Sequence, residues 1–115
     1  MNKELIINTY EEDTLLFKEK LLGVFENNIL QYENDTDTFK INLTDHTLEK
    51  ENLESVLKIS PNEALLTLKE INQSFIIKIN KHNFSNEKNK ISIEYLLESN
   101  EHPIKIEIEM SDINA

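Results

Sequence analysis

Residues 90–110 read KISIEYLLESNEHPIKIEIEM, and this stretch decides the fold. Apolar and polar side chains largely alternate through 91–97 and again through 104–110, on either side of the polar segment 98–103. A period of two residues is typical of a β-strand, because successive side chains of a strand point to opposite faces of the sheet. Pro103 stands at the entrance of the second run, where its missing N–H removes no ladder hydrogen bond. The stretch therefore predicts an antiparallel hairpin with one buried face.

Shorter runs of the same kind lie upstream. Residues 75–80 alternate in the same way and predict a third strand, and the polar segment 82–89 is expected to form the turn that leads into the hairpin. The runs 64–69 and 39–43 are shorter signals of the same type, and Pro61 marks a break before the first of them. The sequence therefore predicts a mainly β protein built as an antiparallel meander.

Two segments leave helix and strand open. In 14–27, Phe17 and Leu21 fall at helical spacing but also share one face of a strand, and periodicity alone slightly favours the helix. In 48–59, the apolar residues could line a short helix that ends before Pro61. At most one or two short helices are therefore expected.

The chain is long enough for one hydrophobic core. Its 115 residues include 38% apolar and 30% charged residues, a balance that can offset the entropy cost of folding. No internal repeat and no interdomain linker is visible. We therefore predict a single domain spanning 1–115.

The charge of the chain restricts its partners. The formal net charge is −10, and all twelve basic residues are lysines. Nucleic acid needs a basic face, and arginine supplies the bidentate contacts to phosphates and guanine edges. Acidic surfaces also disfavour anionic lipid. The sequence therefore predicts no nucleic-acid and no membrane partner; the acidity either keeps a small protein soluble or forms a docking face for a basic protein.

The chain lacks the residues that several kinds of chemistry require. The chain has no cysteine, which removes disulfides, thiolate nucleophiles and soft zinc sites and favours a reducing compartment. Gly23 is the only glycine, so P-loops and dinucleotide fingerprints are excluded. The three histidines, His46, His82 and His102, lie at least 20 residues apart with no metal-ligand spacing. No catalytic residue, metal ligand or cofactor is predicted, and the protein is expected not to be an enzyme.

The start of the chain carries no targeting signal of a familiar kind. Residues 1–4 are not followed by the apolar core and small-residue cleavage site of a secretory signal. No run approaches the ~18 apolar residues of a membrane helix. A cytoplasmic location is therefore expected.

Both ends of the chain resemble one bacterial family. Residues 89–97, followed by the strand 102–110, resemble the C-terminal hairpin of the YwiB-like family. Residues 16–21 through 28–33 look like the early hairpin of that family, in which a strand reaches a short Asn-containing turn and returns with a Tyr-bearing strand. The family has a lipocalin-like, or calycin-like, β-barrel and no established biochemical function.

The resemblance implies a particular form of the meander. The implied fold is a small calycin-like (lipocalin-like) β-barrel, and it shifts 14–27 toward strand. The central Arg-Ser-Gly step of the family falls near 59–61, where only Ser60 remains, and the chain between Ser60 and Phe75 is short for the hairpin expected there. The barrel is therefore expected to be smaller, partly open, or rearranged around 48–59.

The interior of such a barrel suggests a binding site. Small barrels can hold one apolar ligand, although bulky side chains can equally fill the space, and a filled core is favoured for so short a chain. Tyr95 is the polar group of interest, because a phenol on an inward face needs a hydrogen-bond partner. The candidate interior ligand contacts are Phe17, Phe39, Phe75, Ile77, Ile93, Tyr95 and Ile106.

Three functional hypotheses follow. The first is a non-enzymatic acidic module that binds a basic protein partner. The second is a carrier of a small apolar ligand inside the barrel. The third is an acidic inhibitor or immunity-type protein that covers a basic partner.

Overall fold

Period-two alternation extends through nearly the whole chain. The structure is a computed structural model that describes residues 1–113. Ten strands are formed by these residues: β1 (Asn2–Glu11), β2 (Thr14–Glu26), β3 (Ile29–Glu33), β4 (Thr38–Asn42), β5 (Thr47–Glu51), β6 (Ser55–Ile59), β7 (Glu63–Leu68), β8 (Gln73–Glu87), β9 (Lys90–Leu97) and β10 (Ile104–Asp112).

The strands form a closed antiparallel meander. Each strand pairs with the next one in the chain, and β10 pairs with β1 to close the barrel. The predicted C-terminal hairpin is confirmed, because β9 and β10 place Ile91 opposite Ile108 and Ile93 opposite Ile106. Closure continues this inward row, since Ile108 also lies opposite Ile7 of β1. The barrel is thus closed, and the expectation of a partly open one is wrong.

The helical alternatives for the two open segments are wrong. Residues 14–26 form β2, and the segment 48–59 contains most of β5 and all of β6. Asn52 turns the chain between β5 and β6, because its side-chain oxygen accepts hydrogen bonds of 2.9 Å from the N–H groups of both Glu54 and Ser55. Such an Asx turn competes with helix formation. No helix is present among residues 1–113.

The prediction of a turn over 82–89 is wrong for most of that segment. β8 continues to Glu87, and only Lys88 and Asn89 form the turn, with φ of 45° and 66°. The polar residues of this segment pair with β9, where His82 lies opposite Tyr95. A strand of an antiparallel sheet can carry polar residues on the face that is exposed to water.

Asparagine replaces glycine in the tight turns. Asn27 and Asn28, which join β2 to β3, have φ of 53° and 62°. Two successive residues with positive φ are required by the type I′ hairpin turn, and asparagine adopts this conformation more readily than most residues.

Gly23 has a steric role instead. A Cβ atom at Gly23 would lie 2.7 Å from Leu5 Cδ1 and 3.0 Å from the backbone oxygen of Gln31. Leu5 is fully buried, so it has little room to move. Gly23 therefore allows β2 to approach the core and β3.

We expect Gly23→Ala to lower the free energy of unfolding by about 1–3 kcal/mol, because the methyl group overpacks a filled region. Urea unfolding of the two proteins measures the difference. Leu22→Ala is the matched control, since Leu22 is 67% exposed and its truncation should cost less than about 0.5 kcal/mol. Equal stability of Gly23→Ala and the parent protein would contradict this account of Gly23.

Candidate functional site

The interior of the barrel is filled at one end. Fully buried side chains from five strands pack there without measurable exposure: Leu5, Leu30, Ile41, Ile91 and Ile108. The turn between β4 and β5 lies at the same end. It places His46 in a stack on Phe84 of β8, with ring centroids 4.4 Å apart.

The other end contains a cavity of about 660 Å³. The expectation of a fully filled interior therefore fails at this end. The cavity lies between the second half of β1, the first half of β2 and the facing parts of β3 to β6, β9 and β10. Most of its wall is apolar, formed by Ile7, Leu21, Phe39, Leu48, Leu57, Ile59, Ile104 and Ile106.

The mouth of the cavity exists because β2 is much longer than β3. Only Gly23–Glu26 of β2 pair with β3, so among residues 1–113 the stretch 14–22 pairs with β1 alone. The turn after β3 is tightened by Asn34, whose side-chain oxygen accepts hydrogen bonds from the N–H groups of Thr36 and Asp37 at 3.0 and 2.9 Å. The short β3–β4 hairpin leaves the first half of β2 uncovered beside the cavity.

Two tyrosines provide the deepest polar groups of the cavity wall. Tyr32 is only 5% exposed and stacks on Phe39, with ring centroids 4.8 Å apart. Burial raises the pKa of Tyr32 far above its usual value, and the nearby Glu19 and Tyr95 raise it further. Burial also raises the pKa of Tyr95 to about 12. Both phenols are therefore protonated at neutral pH and can act as hydrogen-bond donors.

Neither phenol is committed to a protein partner. Within residues 1–113, no hydrogen bond joins the Tyr32 or Tyr95 hydroxyl to another group. Both residues line the cavity, and neither hydroxyl is fully enclosed by protein, so a ligand or solvent can satisfy them.

The seven predicted ligand contacts divide into two groups. Phe17, Phe39, Tyr95 and Ile106 line the cavity, with Phe17 at the mouth and 59% exposed. The remaining three do not line it: Ile93 is 1% exposed within the core, Ile77 packs against the core, and Phe75 is 45% exposed on the β7–β8 hairpin.

Sequence reasoning missed the polar residues of the cavity wall other than Tyr95, including Thr9, Lys18 and the turn residues 34–37. Glu19, Tyr32 and Lys50 line the cavity from β2, β3 and β5. Their positions agree with the alternation, because Glu19 lies opposite Ile7, and Lys50 lies opposite Phe39 and Leu57. Glu19 also shares its strand face with Phe17 and Leu21, which is the sequence signal that could have identified it.

The exterior carries carboxylates in ordinary surface pairs. Glu94 accepts a hydrogen bond from Asn83 at 3.1 Å and lies 3.1 Å from the ammonium of Lys81. The hydrogen bond from Asn83, and then the contacts with Lys81, lower the pKa of Glu94. Among residues 1–113, no three His, Asp or Glu side chains converge in a way that could hold a metal ion.

The cavity end also holds a titratable link between two loops. Nδ1 of His102, in the loop before β10, lies 3.0 Å from a carboxylate oxygen of Glu12, in the turn after β1. The backbone N–H of Glu12 also donates a hydrogen bond of 2.9 Å to the carbonyl of Pro103. The hydrogen bond and the charge of Glu12 raise the pKa of His102 above its usual value of 6.5.

We expect the His102 pKa to fall toward 6.5 in Glu12→Gln. Because the pKa is raised in the folded state, the pair contributes stability that is fully present below the unfolded-state pKa and is lost as pH rises through the folded-state value. An NMR titration of the histidine ring protons measures the shift in both proteins. An unchanged titration of His102 in the variant would contradict the pairing.

The chain was compared with known proteins in three ways. Neither the protein-family models, nor the curated proteins, nor the solved structures contain a significant match to it. Within the described part of the chain, no helix has the length and apolar character needed to cross a bilayer.

Proposed function

We propose that this protein is a non-enzymatic binding module whose barrel takes up a small, largely apolar molecule. The observation that carries the proposal is the cavity of about 660 Å³ at the open end of the barrel. Sites for small molecules typically measure about 300–1,000 Å³ and are mostly apolar with a few placed polar groups. The cavity has this size and a largely apolar wall, with Tyr32 and Tyr95 among its polar groups.

The size of the cavity also bounds the affinity. A ligand that buries on the order of 200 Å² of apolar surface gains about 5 kcal/mol from the hydrophobic effect. Association costs about 4 kcal/mol or more in lost translational and rotational freedom. Apolar contact alone therefore gives weak binding, and a tight ligand needs the polar groups of the wall as well.

Native mass spectrometry of freshly purified protein tests the proposal, together with titration of a neutral fluorescent apolar probe. We expect either a co-purified adduct or saturable binding of one probe per chain. An intact mass without an adduct, combined with no probe binding, would contradict the proposal.

The resemblance to the YwiB-like bacterial family belongs to this proposal as well. The barrel supports it through its up-and-down order, in which each strand pairs with its neighbour in sequence, as in lipocalins. We infer a calycin-like barrel on this basis. A cytoplasmic location is inferred from the absence of cysteine.

A second candidate function is favoured by the uncovered half of β2. The N–H and C=O groups of an unpaired strand edge can pair with a strand of another chain. The net charge of −10 favours a basic protein partner, and an inhibitor or immunity-type role would be one form of this function. Affinity capture from a cell extract at low and high salt tests it. Retention only at low salt is expected, and no partner under either condition would contradict it.

A further inference from the structure

Glu19 is an unpaired carboxylate in the wall of a largely apolar cavity whose other charged residues are Lys18, Asp35, Asp37 and Lys50. It lies on the inward face of β2, opposite Ile7, which is 2% exposed and lines the same cavity. Glu19 itself is half-buried. Within residues 1–113 it forms no ion pair with a lysine or histidine. Its carboxylate oxygens can therefore accept hydrogen bonds from a ligand.

The two free phenols line the same cavity as this carboxylate. Tyr32 is 5% exposed, lines the cavity, and has its ring stacked on Phe39. Glu19, Tyr32 and Tyr95 all line the same cavity, and Glu19 and Tyr95 both raise the pKa of Tyr32. Lys18 and Lys50 also line the cavity, and Lys50 lies opposite Phe39.

This arrangement suits a cationic head group. An ammonium group can donate hydrogen bonds to the Glu19 carboxylate and to the oxygen atoms of both phenols. The faces of tyrosine and phenylalanine rings attract a cation as well. A carboxylate head group would instead meet a net negative wall, since Glu19, Asp35 and Asp37 outnumber Lys18 and Lys50, on a chain with a net charge of −10.

Resting on the proposed function, we propose that the cavity selects a small apolar molecule that carries a protonated amine, with Glu19, Tyr32 and Tyr95 around the ammonium group. The apolar part of the ligand occupies the space between Phe39, Leu57 and Ile106.

Isothermal titration calorimetry with octylamine, octanol and octanoate tests the proposal at neutral pH and low ionic strength. The three ligands share one apolar chain and differ only in the head group. We expect octylamine to bind at least about tenfold more tightly than octanol, and octanoate to bind more weakly than octanol.

The variant Glu19→Gln separates the carboxylate from general charge effects. It should reduce octylamine affinity about tenfold, to near that of octanol, and leave octanol affinity nearly unchanged. Glu109→Gln, which removes an exposed carboxylate of β10, is the matched control and should leave all three affinities unchanged. Thermal unfolding of both variants establishes that they are folded.

The outcomes distinguish this inference from the proposed function. Octanol binding without a preference for octylamine, or tightest binding of octanoate, would overturn the amine assignment and leave the apolar binding function standing. Equal loss of octylamine affinity in Glu19→Gln and Glu109→Gln would also overturn the assignment. Failure of all three ligands to bind would overturn both proposals.

Discussion

Replacing Ile108 by alanine is expected to lower the free energy of unfolding by about 2–5 kcal/mol, the range for truncating a buried isoleucine. Ile108 has no exposed surface and lies between Ile7 of β1 and Ile91 of β9. It therefore belongs to the row of side chains that joins the last strand to the first. Truncation leaves a void at the packed end, which the closed sheet cannot collapse to fill.

Urea unfolding with a matched control measures this effect. Ile76→Ala removes the same atoms from a side chain of β8 that is 72% exposed, and it should cost less than about 0.5 kcal/mol. If the two variants lost equal stability, the packed end would not be the main hydrophobic core of the protein.

Filling the cavity is expected to abolish ligand binding without unfolding the protein. The double variant Thr9→Trp with Leu57→Trp projects two indoles into the cavity from β1 and β6, where both residues are half-buried wall positions. Because these side chains enter empty space rather than packed core, we expect little loss of stability. The affinity for a neutral apolar probe should fall by about a hundredfold or more.

The matched control adds the same side chains to the outer face. Lys20→Trp with Lys58→Trp places two indoles on β2 and β6 at exposed positions. We expect this variant to bind the probe with the same affinity as the parent protein. Equal probe binding by the cavity-filled and parent proteins would show that the probe binds elsewhere.

The C-terminal hairpin shows how much of the fold can be predicted from the sequence. A strand with one buried face must alternate, and 91–97 and 104–110 do so clearly enough to give both strands. Their register also follows, because apolar positions must oppose one another on the inward face. Closure by pairing β10 with β1 depends on contacts between the chain ends, which no local pattern encodes.

Local patterns misled where side-chain hydrogen bonds or pairing decided the structure. The apolar residues of 48–59 fit a helix, but Asn52 turns the chain in their midst. The polar residues of 82–89 suggested a turn, yet they pair with β9 over most of their length. One side chain, Asn52, determines the structure of 48–59, and pairing with a neighbouring strand determines that of 82–89. Residue composition determines neither.

The sequence predicts which side chains face the interior of the barrel, but not which of them line the cavity. Alternation identifies which side chains point inward, and it correctly placed Phe39 and Tyr95 in the cavity wall. It does not say where along the barrel axis a residue lies. Phe75 therefore shares the inward parity but lies on a hairpin beyond the wall, and Ile93 is enclosed in the core although it lies opposite Ile106 of the wall.

Glu19 was not predicted as a cavity residue for a related reason. In an acidic chain, one more carboxylate carries no signal by itself. Only the length difference between β2 and β3, which leaves residues 14–22 beside the mouth, makes an inward glutamate tolerable. This length difference depends on the Asn34 turn rather than on any motif.

Methyl NMR of the isoleucine side chains during an octanol titration tests the open cavity most directly. Ile59 and Ile106 line the cavity, whereas Ile41 and Ile91 lie at the packed end. We predict saturable shifts at Ile59 and Ile106, with Ile41, Ile91 and the exposed Ile76 nearly unchanged. Absence of shifts, or shifts centred on Ile76, would contradict the existence of a ligand site inside the barrel.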